Sequence, residues 1–137
     1  MKRLSFLLLV LFMPLLPSLC LSEEGKAPFA AAIGPDGLQH VEVAGGSYYF
    51  KPERIIVRVN APVELKLRNE SSVTPHDFIL KAPEAGIDIS VTLRGEPTVL
   101  YFTMKKTGVY TFYCGRRFLF FKSHRNRGME GTIEVVE

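Results

Sequence analysis

The sequence predicts an all-β fold, a sandwich or barrel of about eight short strands. Three observations predict it. Apolar and polar residues alternate in segment after segment, as in Val63, Leu65 and Leu67 against Glu64, Lys66 and Arg68. Turn residues such as Gly45-Gly46, Ala61-Pro62 and Gly95 to Pro97 separate these segments at regular spacing. Beyond the N-terminal leader, no stretch carries a long helical period.

Residues 1–22 read as a secretory signal peptide. Lys2 and Arg3 supply the charged start, Leu4 to Leu16 the apolar core, and Ser22 the cleavage point. The rest is then expected outside the cytoplasm, in a bacterial periplasm or exported. Two alternatives keep the domain on a membrane. The leader could stay uncleaved, against which Pro14 and Pro17 disfavour a spanning helix. Cys20 could be lipidated, although Leu19 stands where a bacterial lipobox has a small residue.

The chain has 137 residues, enough for one domain. Without the leader it holds 15 basic and 14 acidic residues, so charge gives no footprint for nucleic acid. Cys114 is then the only thiol, and no internal disulfide can form. Taken alone, a single thiol in an exported domain is either a buried free cysteine or a metal ligand.

Glu23 to Gly37 shows no period, holds Pro28 and Pro35, and reads as a tether or an arm lying on the domain. The main domain is predicted over residues 38–137. Leu38–Val43 alternates and is expected to break at Gly45-Gly46. Ser47–Phe50 is a short aromatic strand. Arg54–Asn60 turns Ile55, Val57 and Val59 one way, Val63–Asn69 is the cleanest alternation in the chain, and such strands are expected to be half-buried and antiparallel. Pro75 precedes His76–Leu80, where His76, Phe78 and Leu80 share a face. Lys81–Gly86 is a loop with room for a helical turn. Ile87–Leu93, Thr98–Met104 and Val109–Cys114 follow as strands, the last placing Tyr110, Phe112 and Cys114 together. Thr132–Val136 closes the domain.

The chemistry concentrates between Val109 and Met129. His124 follows Cys114 after nine residues, and Met129 follows after four more. His76 lies upstream at a strand start. Two imidazoles, one thiolate and one thioether are the donors of a blue-copper site, with the weak thioether on the long axial bond. Thiolate and thioether suit Cu(I), and imidazole suits both oxidation states. The remaining His40 sits among polar neighbours and reads as surface.

The Cys–His–Met order after an alternating strand, with a distant His after Pro, resembles the cupredoxin family. The resemblance covers Gln39 to Glu137 and implies a Greek-key β-sandwich. It also implies one copper ion held by His76, Cys114 and His124, with Met129 axial. Two departures stand out. The Cys-to-His gap is longer than in plastocyanins and azurins and closer to that of copper nitrite reductases. Asp77 stands where plastocyanin-like members have an Asn that ties the ligand loops together.

The loop itself is unusual. Phe118, Leu119, Phe120 and Phe121 run consecutively, and Arg116, Arg117, Lys122, Arg125 and Arg127 surround them without an acid. The aromatics could shield the copper from water. They could also form a docking face for an acidic partner or an anionic membrane. The function expected is that of a monomeric one-electron carrier whose partners are redox proteins, a cytochrome or an oxidase or reductase. Copper delivery to an enzyme is the alternative. An enzyme of the nitrite reductase or multicopper oxidase type needs further histidines, and only His40 is left over.

Overall fold

The computed structural model describes residues 27–137. The leader and Cys20 lie outside the described residues. Among the described residues, ten strands form two sheets. They are β1 (Phe29–Ala30), β2 (Gln39–Gly46), β3 (Tyr49–Lys51), β4 (Arg54–Arg58), β5 (Pro62–Asn69), β6 (Asp77–Ala82), β7 (Ile87–Thr92), β8 (Thr98–Thr103), β9 (Gly108–Tyr113) and β10 (Glu130–Val136). The larger sheet runs β1-β4-β10-β9-β6-β7 and the smaller β3-β2-β5-β8. Most connections pass from one sheet to the other, which is the Greek-key winding of a sandwich. Helical structure among the described residues is confined to 3-10 turns at Pro83–Ala85 and Arg125–Arg127. No helix among them is long and apolar enough to cross a membrane.

The alternating residues meet between the sheets. Val41, Val43, Leu65, Leu67, Phe78, Leu80, Phe112 and Ile133 are all buried, while their sequence neighbours Glu42, Lys66 and Lys81 face outward. Phe50, Phe78 and Phe112 form an aromatic cluster, with ring centroids 5.0 to 6.0 Å apart.

Three features differ from the sequence expectation. Strand pairing is not purely antiparallel: β2 runs parallel to β5, and β4 runs parallel to β10. The non-periodic Phe29–Ala30 adds an edge strand beside β4, because a two-residue strand is too short to show alternation. Gly45-Gly46 does not break β2 but completes it. A Cβ at Gly45 would lie 2.5 Å from Leu93 Cδ1 and 3.3 Å from Met129 Cε. One at Gly46 would overlap the Tyr49 ring. The glycines are there for close approach of neighbouring groups.

The turn before β2 is fastened by His40. Its Nε2 meets Asp36 at 2.8 Å, and its Nδ1 meets Glu64 on β5 at 3.0 Å. These two carboxylates, Glu64 first, raise the imidazole pKa above 6.5. A raised pKa stabilises the fold below the unfolded value and stops doing so as pH rises through the folded value. His40→Ala is therefore expected to lower the urea midpoint more at pH 6 than at pH 9. An equal loss at both pH values would mean that His40 acts by packing alone.

Candidate metal centre

Three strand ends and one loop residue converge at one end of the sandwich. His76 immediately precedes β6, Cys114 immediately follows β9, and Met129 immediately precedes β10. Antiparallel pairing of β6 with β9, with Ile79 opposite Tyr113, brings the start of one beside the end of the other. His124 arrives from the long loop, at the entrance to the Arg125–Arg127 turn. Two hydrogen bonds fix the loop there. The His124 N–H donates to the Arg116 carbonyl at 2.8 Å, and the Met129 N–H donates to the His124 carbonyl at 3.0 Å. The Cys114 N–H donates to the Met129 carbonyl at 3.1 Å, so Met129 is held against both neighbours.

The donor atoms face one another. The two Nδ1 atoms lie 3.1 Å apart, and Cys114 Sγ lies 3.9 Å from His76 Nδ1 and 3.5 Å from His124 Nδ1. A point in the plane of these three atoms lies about 2 Å from each, which is the length of a metal–imidazole bond and slightly less than a metal–thiolate bond. His76, Cys114 and His124 form the one group of three potential ligands found among the described residues. His76, Cys114 and Met129 are fully buried, and His124 is only 7% exposed.

Burial sets the protonation states. It lowers the pKa of both histidines, aided at His76 by the neighbouring His124 and at His124 by Arg127. Neutral imidazoles with lone pairs free to bind result. Burial also pushes the Cys114 thiol up, against the opposing effect of a hydrogen bond from the Asp77 N–H to Sγ at 3.3 Å. A buried thiolate needs a cation beside it, and the donors point at the place where one fits. His76 Nε2 is buried without a partner, a cost accepted in order to place this ring in the cluster.

Asp77 ties the loops together by a different bond from the one the family habit suggests. Its carboxylate accepts from Arg116 Nε at 2.9 Å and from the Thr92 hydroxyl at 3.2 Å, and Arg116 also donates to Thr92 at 3.1 Å. The clamp joins β6, β7 and the Cys–His loop. The Tyr48 ring stands edge-on to His124, with centroids 5.0 Å apart, and Arg127 stacks on Tyr48. Sequence reasoning missed Arg116, Thr92 and Tyr48 as parts of the site, because nothing in their spacing ties them to it. Of the loop aromatics, Phe118 and Phe121 line a groove of about 670 Å³ that reaches His124. None of the four apolar loop residues is buried, so close cover of the ligands comes from Tyr48 and the sandwich.

A sequence model of the cupredoxin-like domain matches residues 11–133. The chain belongs to the cupredoxin-like domain family. Solved structures show the same fold at low identity. The metal-binding domain of a Cu(I)-exporting P-type ATPase from Streptococcus pneumoniae, solved with Cu(I), superposes with a TM-score of 0.58 at 20% identity, over 81% of this chain and 97% of that one. Auracyanin A, a blue copper protein from Chloroflexus aurantiacus, gives 0.56 at 19% identity, over 73% and 100%. The periplasmic domain of cytochrome oxidase subunit II from Bradyrhizobium japonicum gives 0.53 at 20% identity, over 72% and 83%. No curated protein matches the chain in sequence. In this cupredoxin, His76, Cys114, His124 and Met129 are arranged as a type 1 copper site, and their donor set suits copper.

Proposed function

We propose that the chain is a one-electron carrier of the bacterial cell envelope, in which His76, Cys114, His124 and Met129 would hold one copper ion. The observation that carries this reading is the convergence of Nδ1, Nδ1 and Sγ inside a buried shell. When bound, copper supplies a couple between Cu(I) and Cu(II). The protein's part is to hold donors suited to both states in one geometry. Strand ends fix His76, Cys114 and Met129, and the clamp of Asp77, Arg116 and Thr92 fixes the loop that carries His124. The Asp77 N–H withdraws electron density from the sulfur and so tunes the potential. His124 is the ligand that borders the groove, which makes its edge the contact for a redox partner. The resemblance to a blue copper protein and to an oxidase subunit supports redox proteins as partners, and the proposal is that a monomer meets a cytochrome, an oxidase or a reductase. The leader pattern supports a periplasmic or exported place, with tethering through the leader or Cys20 as the minority form.

Copper delivery is the second reading, favoured by the likeness to the metal-binding domain of the copper exporter. Ligands buried this completely release an ion slowly, which supports carriage of electrons instead.

Voltammetry of the copper-loaded chain separates the two. A carrier gives a reversible one-electron wave, and Met129→Leu keeps the copper while raising the midpoint, because a weak axial donor is lost. Binding of Cu(I) with no reversible wave would put delivery first.

A further inference from the structure

The tip of the Cys114–His124 loop has no part in holding a metal. Phe118, Leu119, Phe120 and Phe121 are 66%, 66%, 100% and 58% exposed. They sit on a tight turn in which the Phe121 N–H donates to the Phe118 carbonyl at 3.0 Å and Leu119 takes a positive φ of 47°. Four consecutive apolar side chains are thus turned into water rather than into the core. Arg117, Lys122 and Arg127 flank the turn and make no ion pair among the described residues. No acid occurs between Gly115 and Met129.

We infer that this tip inserts into the surface of a bilayer containing anionic lipid. The charge selects an anionic surface, and the shape selects a fluid one. A flat apolar patch suits a protein partner, whose packed surface can be matched across it. A turn with Phe120 wholly exposed finds apolar surroundings on every side where the medium closes around it, as acyl chains do. Phe and Leu on one side with Arg and Lys beside them are the composition of segments that lie in a membrane interface. The groove beside the tip reaches His124, so insertion turns this edge of the ligand cluster toward whatever the membrane holds. The inference needs no bound metal and stands apart from the electron-carrier reading.

The full chain has no Trp, so Phe120→Trp places a single reporter on the tip. The metal-free variant is mixed with vesicles of phosphatidylcholine alone or of phosphatidylcholine with phosphatidylglycerol. With the anionic vesicles, emission is expected to move to shorter wavelength and to be quenched by lipids brominated on their acyl chains. High salt reverses both effects. Adding Arg117→Gln and Lys122→Gln weakens the partitioning by about thirtyfold. The reporter sees the tip alone, so binding through the leader does not imitate insertion. A chain that sediments with vesicles while the emission of the introduced tryptophan stays unshifted overturns the inference and leaves the tip to an acidic protein partner. An equal shift on neutral vesicles overturns the anionic preference.

Discussion

Cys114→Ala is expected to abolish the intense thiolate-to-copper absorption and to weaken Cu(II) binding by orders of magnitude. The residue supplies the one thiolate, and the remaining donors are two neutral imidazoles and a thioether. Its loss also leaves the Asp77 N–H without its sulfur acceptor in a partly buried setting. Because the side chain is small and the strands on either side are complete, the apo fold should survive. Near-ultraviolet circular dichroism of the metal-free variant checks that. Visible and electron paramagnetic resonance spectra after one equivalent of Cu(II) then read the site. Wild type should show narrow hyperfine splitting and the variant the wide splitting of ordinary copper. A blue band retained by Cys114→Ala would sink the ligand assignment. The thiol pKa is raised by burial, so loading must displace a proton from sulfur. Wild-type affinity therefore falls as pH falls, and the variant should lose that part of the dependence.

Much of this centre is legible in the chain, because ligand chemistry constrains residue type strongly. One thiol outside the leader segment, two histidines and a methionine in this order leave few other readings, and alternation places Cys114 on the buried face of its strand. Partners that act through geometry are not legible. Asp77 can be seen to depart from the family habit, but its partner Arg116 lies 39 positions away and only the fold joins them. Gly45-Gly46 looks like a strand breaker because a sequence does not display Leu93 and Met129 packed against it. The parallel pairs β2–β5 and β4–β10 leave no local mark either, since alternation is the same in both senses of pairing. The Phe118–Phe121 run has no period at all, and only its exposure separates a shield from a tip.

Phe112→Ala is expected to cost about 3–5 kcal/mol, the range for emptying a large aromatic site in a core. The ring is fully buried, stacked on Phe78 at 5.0 Å and edge-on to Phe50 at 5.2 Å. Collapse cannot refill the space. Phe112 pairs across the sheet with Gly131, which has no side chain to move in and is packed so closely that a Cβ there would overlap the Phe112 ring. The damage also reaches the metal. Phe112 lies two residues before Cys114 and Phe78 two residues after His76, so this stacked pair supports both ligand-bearing ends. Copper retention should therefore fall together with the urea midpoint, and the apo and loaded forms should both be measured, because bound metal adds its own stabilisation. Phe118→Ala provides the contrast: its ring is largely in water, and the change in stability should stay within about 0.5 kcal/mol. If the two variants proved equally stable, the Phe50–Phe78–Phe112 cluster would not be what holds the ligand ends together.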